Sequence, residues 1–303
     1  MNHLIVERVG LLASVQDLGR PGHGSIGVSR SGAADTLALR IANRLLGNDD
    51  RDAGIEVTLL GGVFTATCDT HIALAGAPCG ATIDGREVFP LRPLTLRAGE
   101  RLELAPTTSG VHTYIAVAGG VRTQPVLGSR STHTTTGFGS DAGRALRAGD
   151  RLPITHTTAR APDVDRDALM RLARPALAAR VRTVGGHALR CAVDRRADRM
   201  GTRLLPERPL APASPIVPEA MFHGVVQHTP DGALIALGPD AAPTGGYPVF
   251  ATVIDADLPA LAQLRPGARV ELIPVSIEQA WRLAREQAAL LDTALPPAET
   301  HRA

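Results

Sequence analysis

Short segments with alternating apolar and polar residues recur along most of the chain, and glycine or proline separates them. Residues 96–104 read LRAGERLEL, residues 264–272 read LRPGARVEL, and a shorter form, LRAGDRL, occupies residues 146–152. In each copy a glycine-containing turn precedes a segment whose apolar residues fall at every second position, which is the period of a half-buried β-strand. A turn leading into a strand is common in β-proteins, but two nine-residue copies that share six residues favour a structural repeat.

We predict further strands in five segments, at residues 55–67, 70–74, 114–118, 233–237 and 249–254. The 31 glycines and 23 prolines supply turns between them. The strands follow one another too closely, and helical patterns are too few, for a doubly wound α/β fold. The pattern therefore predicts a mainly β protein with a few peripheral helices, folded as a barrel or a sandwich.

Three segments have helical rather than strand periodicity, at residues 33–46, 166–172 and 277–291. The first is followed by a Gly-Asn pair, which commonly ends a helix. The third is preceded by Ser276, and Gln279 follows three positions later, so the two residues match a capping box.

Domain organisation is predicted from a stretch rich in proline, alanine and arginine near the middle of the chain. We place a linker there, at residues 161–180. The first domain then covers residues 1–160, and the second covers residues 181–303 with the C-terminal helix.

The composition limits the chemistry that the chain can carry. All 32 basic residues are arginine, which excludes a Schiff base, a P-loop lysine and covalently attached biotin. The net charge of +2 is interspersed and aromatic residues make up 3%, which disfavours nucleic-acid binding. We expect the three cysteines to be free thiols, and the ten histidines have no metal-ligand spacing. No signal peptide or long apolar span is evident, so we expect a cytoplasmic protein without membrane contact.

The sequence SGAAD at residues 31–35 precedes the first predicted helix and allows three interpretations. Ser31 is placed to cap the helix, since a serine hydroxyl accepts hydrogen bonds from N–H groups of the first turn. Gly32 and the two alanines after it leave those N–H groups accessible to a carboxylate or phosphate. A nucleophilic Ser31 has little support, because no G-x-S-x-G sequence surrounds it.

Three later stretches are also rich in polar groups. Residues 128–139, GSRSTHTTTGFG, suit an oxyanion or carboxylate, or form a flexible polar loop. Residues 244–248, TGGYP, contain paired glycines that either admit a ligand close to the backbone or form a tight turn. Within ADRMGTRLL, Asp198, Arg199 and Arg203 either form an internal ion pair or include a carboxylate clamp at Arg199.

Several short motifs occur in an order that carries a family resemblance. They are Gln16-Asp17-x-Gly19-Arg20-x-Gly22, Gly27-Val28-x-x-Ser31-Gly32-Ala33-x-Asp35, Ala42-Asn43-x-Leu45-x-Gly47-Asn48, Glu56-x-Thr58, Gly128-Ser129-Arg130-Ser131-Thr132, Asp198-Arg199-Met200-Gly201-x-Arg203-Leu204, Gln227-x-x-Pro230-Asp231-Gly232 and Thr244-Gly245-Gly246-Tyr247-Pro248. Over about residues 4–275 the chain resembles the allophanate hydrolase subunit 2 family. That family includes the C subunit of 5-oxoprolinase, KipA-like sporulation proteins and the biotin-dependent carboxyltransferase region of urea amidolyase.

The resemblance implies two cyclophilin-like β-barrels in tandem, and it implies catalytic roles for Arg199, Asp198 and Tyr247. It implies substrate binding by residues of the serine, glycine and amide motifs: Ser31, Gly32, Asp35, Ser129, Arg130, Ser131, Thr132, Gln227, Thr244, Gly245 and Gly246. Such residues direct N–H groups, hydroxyls and guanidinium groups at the negative charge that develops on an activated carbonyl. No metal ligand is implied.

The activity implied first is that of one component of an ATP-dependent 5-oxoprolinase, which opens the lactam 5-oxoproline to glutamate. Its partners would be a subunit-1 homologue (the KipI-like B component) and the lactam-hydrolase A component, and ATP with Mg²⁺ would be consumed by the complex. The first alternative is the carboxyltransferase component of a urea-amidolyase-like system, with biotin carried on another chain. The second alternative is a non-catalytic regulator that sequesters a subunit-1 homologue.

Overall fold

The computed structural model describes residues 2–140, 143–155, 157, 162–173 and 179–298. The chain divides into two compact units, of which the first comprises Met1–Gly19, Thr36–Arg174 and Leu290–Ala303, and the second comprises Arg20–Asp35 and Pro175–Ala289. The segment Arg20–Asp35 therefore groups with the later half of the sequence. The predicted domain boundaries remain a prediction, and residues 161 and 174–178 of the predicted linker lie outside the described residues.

The first unit is built mainly of β-strands. They are β1 (His3–Val9), β2 (Leu12–Gln16), β3 (Gly54–Thr58), β4 (Gly62–Ala66), β5 (Thr70–Gly76), β6 (Cys79–Ile83), β7 (Arg86–Val88), β8 (Leu94–Leu96), β9 (Arg101–Thr107), β10 (His112–Val117), β11 (Thr132–His133), β12 (Phe138–Gly139) and β13 (Arg151–Pro153). One sheet has six strands in the order β13-β1-β4-β9-β6-β7, and another has five in the order β2-β3-β10-β5-β8. Strands β11 and β12 pair as a short hairpin.

A single hydrophobic core joins the two larger sheets of the first unit. In β9, Leu102 and Leu104 are buried in this core while Arg101 and Glu103 face solvent. This is the period of two that the sequence predicts, and burial of each leucine contributes about 1.5–3 kcal/mol. Helix α1 (Thr36–Leu45) packs on β5 and β10, which is why every residue of β10 is buried.

The predicted strand at residues 55–67 is wrong, because the segment forms two strands, β3 and β4, joined by a turn. Leu59 has a φ of +57° and Gly61 a φ of +67°, both in the left-handed region that ends a strand. A side chain at Gly61 would collide with the carbonyl oxygen of Leu104. The continuous apolar run hid this turn, which only the glycine pair at residues 61–62 marks in the sequence.

The second unit contains a closed barrel. Its strands are β14 (Ala179–Val184), β15 (Leu189–Val193), β16 (Gly201–Pro206), β17 (Glu219–Ala220), β18 (Val225–His228), β19 (Leu234–Leu237), β20 (Thr244–Gly245), β21 (Val249–Val253) and β22 (Arg269–Pro274). The barrel order is β14-β21-β18-β19-β16-β15-β22, and the parallel pairing of β14 with β22 closes it. Strands β17 and β20 form a separate pair. The prediction of a mainly β chain is thus confirmed.

The repeated turn has the same geometry in its three copies. Its glycine has a φ of +84° at Gly99, +94° at Gly149 and +83° at Gly267. The glycine N–H donates to a carbonyl of another strand in each case, with N···O distances of 2.7–2.8 Å to Ala66, Val6 and Val193. The glycine occupies the third position of the turn, where a type II turn requires a positive φ. The turn leads into β9, β13 and β22, which confirms the predicted repeat.

The structure has a short helix, α3 (Leu258–Ala262), that the sequence did not predict, and α1 begins later than predicted. Helix α2 (Arg166–Leu172) has the predicted bounds, and α4 (Ile277–Ala294) extends three residues past its predicted end. The capping box of α4 is confirmed, since Ser276 and Gln279 exchange backbone-to-side-chain hydrogen bonds of 3.0 and 3.2 Å. In the described chain no helix is long and apolar enough to cross a membrane.

The prediction that Ser31 caps the first helix is wrong. Helix α1 begins at Thr36 rather than at residue 33, so Ser31 lies outside its first turn. Ser31 has a φ of +55°, and its hydroxyl is used elsewhere in the second unit. Ala33 and Ala34 have high helical propensity, but they lie before the first helical residue.

Candidate functional site

A buried ion pair joins Arg199 and Asp240 in the second unit. Arg199 Nε donates to Asp240 Oδ2 at 2.8 Å, and Arg199 Nη2 donates to Asp240 Oδ1 at 3.0 Å. Arg199 is 7% exposed and Asp240 is fully buried. Two-point geometry of this kind offsets part of the desolvation of both charges.

The chain around Ser31 is held against this ion pair. The Ser31 hydroxyl donates to Asp240 Oδ1 at 2.8 Å, and the Ser31 N–H donates to the carbonyl of Pro239 at 2.9 Å. Arg199 Nη2 also donates to the carbonyl of Gly32 at 2.7 Å. Both oxygens of Asp240 therefore accept hydrogen bonds, and this carboxylate positions the chain around Ser31.

His223 lies beside the ion pair and is half-buried. Burial lowers the pKa of its imidazole to about 4, and the positive charges of Arg30 and Arg199 act in the same direction while Asp240 opposes them. The imidazole is therefore neutral at pH 7 and carries one N–H donor and one acceptor nitrogen.

A cleft of about 360 Å³ opens on the second unit. Its lining combines barrel residues with loop residues: Arg196, Asp198, Met200, Gly201, Arg203, Gln227, Ile235, Leu237, Ala241, Ala242 and Thr244. Ile235 and Leu237 belong to β19 and supply an apolar surface. The polar groups come from two arginines, the carboxylate of Asp198, an amide and a hydroxyl, a combination typical of small-ligand sites.

Gln227 lies in the wall of the cleft, against β20 and the residues that follow it. A Cβ at Gly245 would lie 2.9 Å from Met221 Cγ and would collide with Gln227 Nε2, so any other residue there would displace the Gln227 side chain. Gln227 is 6% exposed, and its Nε2 donates to the carbonyl of Tyr247 at 3.4 Å. Gly245 of TGGYP thus makes room for the Gln227 side chain.

The arginines of the cleft are paired with aspartates outside its lining. Arg196 Nη2 lies 2.6 Å from Asp194 Oδ2, and hydrogen bonds from Arg196 lower the pKa of Asp194 to about 2. Arg203 Nη2 donates to Asp231, and Arg203 Nε lies 3.7 Å from Asp194. These pairs fix the direction of both guanidinium groups.

The Asp198 carboxylate binds backbone N–H groups of a turn and does not pair with an arginine of the described chain. Its Oδ1 accepts from the N–H groups of Met200 at 2.8 Å and Gly201 at 3.2 Å. The interpretation of Asp198, Arg199 and Arg203 as an internal ion pair is therefore wrong. The carboxylate is occupied by the local backbone, and the structure pairs each arginine with a more distant aspartate.

The hydroxyl-rich loop of the first unit surrounds Asp17. Asp17 Oδ1 accepts from the hydroxyls of Ser129 at 2.7 Å and Ser131 at 2.5 Å, while Oδ2 accepts from the N–H of Arg130 at 2.6 Å. Asp17 is 6% exposed, and Ser129, Ser131 and Thr132 are buried. This part of the loop is therefore ordered by an internal carboxylate, and the flexible-loop interpretation is wrong for it.

A second buried polar group in the first unit lies on β3 and β10. The Tyr114 hydroxyl donates to Glu56 Oε2 at 2.7 Å, and His112 Nδ1 lies 3.7 Å from Glu56 Oε1. Glu56 and Tyr114 are 1% and 0% exposed. Among the residues that the structure describes, no three or more His, Cys, Asp or Glu side chains are arranged to hold a metal ion.

A family model for the carboxyltransferase domain, subdomains A and B, matches residues 26–274. The chain belongs to this family. The matched range includes the Arg199–Asp240 pair, the cleft and the Ser129–Thr132 loop.

Curated carboxyltransferase-domain relatives align with nearly the whole chain. The chain is 35% identical to the C subunit of 5-oxoprolinase from Escherichia coli, over 94% of its own length and 95% of that protein. It is 36% identical to the C subunit of 5-oxoprolinase from Haemophilus influenzae, over 92% of its length and 94% of that protein.

Solved structures of the family show the same fold within larger proteins. The Kluyveromyces lactis urea amidolyase matches 96% of this chain with a TM-score of 0.85 and 26% identity. The Kluyveromyces lactis urea carboxylase matches 99% with a TM-score of 0.86 and 25% identity. The chain spans only 20% and 30% of those two proteins.

The predicted site residues of this carboxyltransferase-domain chain fall into separate groups. In the second unit, Ser31, Gly32 and Arg199 meet at Asp240. Asp198, Gln227 and Thr244 line the cleft, with Gly245 behind Gln227. In the first unit, the serine loop, Ser129–Thr132, surrounds Asp17.

The remaining predicted side chains and backbone groups make other contacts. Asp35 accepts from Gln263 Nε2 at 2.9 Å, and the carbonyl of Gly246 accepts from the N–H of Ile216 at 2.9 Å. Arg130 Nε donates to the carbonyl of Thr123 at 2.9 Å. Tyr247 is 37% exposed.

Sequence reasoning missed Asp17, Asp240 and His223 as members of these groups. Asp17 stood inside a quoted motif, and Asp240 lies four positions before Thr244. His223 had no local signal, because its environment is made by residues that are distant in sequence.

Proposed function

We propose that this chain is one component of a heteromeric, ATP-dependent 5-oxoprolinase that converts 5-oxoproline to glutamate. The observation that carries the proposal is the end-to-end similarity to two proteins named as C subunits of 5-oxoprolinase. Similarity over nearly the whole of both proteins argues for a shared role more strongly than a shared fold does.

The cleft has the chemistry that a small lactam requires. The methylene groups of 5-oxoproline would lie on Ile235 and Leu237, and its amide and carboxylate would face Gln227, Thr244 and the arginines. A volume of about 360 Å³ is at the small end of the range for ligand sites. The cleft is therefore of a suitable size for 5-oxoproline, a compact ring whose polar groups lie on one edge.

Opening the ring adds water across the lactam C–N bond, so the carbonyl carbon gains an oxygen and the nitrogen gains a proton. Donors that face the developing oxyanion accelerate such a step. We assign this role to the Gln227 amide, because Gln227 lines the cleft and Tyr247 does not. Arg199 acts as a positioning residue, because its guanidinium already binds Asp240 and Gly32.

The proposal includes partner chains. The name of the relatives implies a multi-subunit enzyme, and we propose two partners, a subunit-1 homologue (the B component) and a lactam-hydrolase chain (the A component). ATP with Mg²⁺ would be consumed as a substrate of the complex.

The test is glutamate formation by the complex purified after co-expression with its subunit-1 and lactam-hydrolase homologues. We expect ATP- and 5-oxoproline-dependent glutamate, reduced by about tenfold or more in Gln227→Ala, because one amide donor is lost. Gln287→Ala is the matched control, since Gln287 also donates to a backbone carbonyl, that of Ala256, and does not line the cleft. A verified complex that makes no glutamate would falsify the proposal.

A carboxyltransferase acting on a urea-like substrate is the second candidate. The family description and the likeness to urea amidolyase and urea carboxylase favour it. This sequence has no lysine, so biotin would be carried by another chain. Urea-dependent turnover of a carboxylated biotin carrier, sensitive to avidin, would establish this function in place of lactam hydrolysis.

A further inference from the structure

Arg30 is an exposed arginine at the edge of the Arg199–Asp240 pair. Its guanidinium makes no hydrogen bond or ion pair among the residues that the structure describes. Its backbone is fixed, because the carbonyl of Arg30 accepts from the N–H of Arg20 at 2.8 Å and the next residue, Ser31, binds Asp240. The backbone is therefore held in place, while the guanidinium is accessible to a ligand.

His223 is placed beside the same piece of chain. Its neighbour Gly224 donates its N–H to the carbonyl of Leu237 at 2.9 Å, and Ser31 donates to the carbonyl of Pro239 at 2.9 Å. Residues 30–31 and 223–224 are thus both anchored to residues 237–239. The imidazole nitrogens of His223 have no hydrogen-bond partner among the described residues.

Arg30 adds a positive charge next to the Arg199–Asp240 pair, and this charge acts on His223. Arg199 donates two hydrogen bonds to Asp240, and Ser31 also donates to this carboxylate. Arg30 remains unpaired, and the neutral imidazole of His223 offers an N–H donor. A guanidinium beside an N–H donor is the arrangement that carboxylates and phosphoryl groups bind.

We propose that Arg30 and His223 form an oxyanion-binding site for a carboxylate or a phosphoryl group. The site is separate from the cleft, since neither residue lines it. Binding needs neither turnover nor a partner chain, so the site can be tested independently of the proposed function. Within a 5-oxoprolinase, the oxyanion would come either from the lactam or glutamate carboxylate or from a nucleotide phosphate.

The test is an NMR titration of the full chain labelled with ¹³C at histidine Cε1, with the His223 signal assigned by His223→Gln. Orthophosphate, glutamate and ATP are added separately at constant ionic strength. We expect a saturable shift of the His223 signal with at least one of them. The ligand with the lowest Kd identifies whether the carboxylate or the phosphoryl group is the natural source.

Arg30→Gln should raise the Kd of that ligand by about tenfold, because a charge-assisted hydrogen bond is removed. Arg208→Gln is the matched control, since Arg208 is also exposed in the second unit, and it should leave the Kd unchanged. The bound oxyanion should also raise the pKa of His223 from about 4, since opposite charge favours the protonated ring. No saturable shift with any of the three ligands, or an equal Kd in Arg30→Gln, overturns the proposal.

Discussion

Each unit contains a buried aspartate that holds a serine-containing segment, and the two aspartates use different donors. Asp17 in the first unit accepts from two serine hydroxyls and from the backbone N–H groups of Arg130 and Gly19, all of them neutral. Asp240 in the second unit accepts from Ser31 and from the charged guanidinium of Arg199. Loss of Asp17 therefore removes hydrogen bonds, whereas loss of Asp240 leaves a buried cation without its carboxylate.

The largest expected effect comes from removing Asp240, because its donor Arg199 is charged. Asp240→Ala should lower the free energy of local opening of the second unit by about 3–5 kcal/mol, because Arg199 loses its buried partner. Amide hydrogen exchange in β19 and β16 measures this opening. The double variant Arg199→Met/Asp240→Ala should recover part of the loss, and equal losses in the single and double variants would contradict the account.

Asp17→Ala tests the neutral member and should cost about 3 kcal/mol in the first unit, since its hydroxyl and N–H donors lose a charged acceptor. Hydrogen exchange of β2 and of residues 129–132 reports the loss. Asp69→Ala, an exposed aspartate that accepts one hydrogen bond from the N–H of Ala98, is the control and should have a much smaller effect. If Asp17→Ala lost as much stability as Asp240→Ala, the two sites would not differ in the way proposed.

Acid should weaken the second region through His223. The folded pKa of about 4 lies below the ordinary value of 6.5, so the unfolded chain binds this proton first as the pH falls. The associated stability is present above pH 6.5 and is lost as the pH falls towards about 4. After allowance for partial exposure the loss is about 2 kcal/mol.

Urea unfolding of the protein and of His223→Gln between pH 7 and 4 measures this contribution. The variant should show a shallower decline of stability over that interval, while its stability above pH 7 changes little with pH. Identical pH profiles would contradict the assignment of the low pKa to His223.

The smallest expected effect is that of Ser31→Ala, about 1 kcal/mol in the second unit, because one hydroxyl donor to Asp240 is removed. Helix α1 should keep its exchange protection, since Ser31 does not cap it. Ser29→Ala is the matched control. Loss of protection confined to the first turn of α1 would restore the capping interpretation.

What the sequence predicts well is local. Two such predictions are confirmed: the turn that leads into β9 and β22, and the capping box at Ser276. Each depends on residues within a few positions of one another. The prediction of a single strand at residues 55–67 was wrong, because the chain turns at Leu59. Leu59 has a positive φ, and leucine gives no sequence signal for that conformation.

What the sequence hides is the pairing of distant residues. Ser31 and Asp240 are 209 positions apart, and Ser129 and Asp17 are 112 positions apart. The motifs name most residues of the two groups, but only the fold decides which donor meets which carboxylate. The same reason explains why Arg199 pairs with Asp240 rather than with its neighbour Asp198.

The measurement that tests the central claim most directly is glutamate formation by the reconstituted complex with and without this chain. The account predicts that glutamate appears only when this chain, its partner chains, ATP and 5-oxoproline are all present. Equal glutamate formation by the partner chains without this one would contradict it.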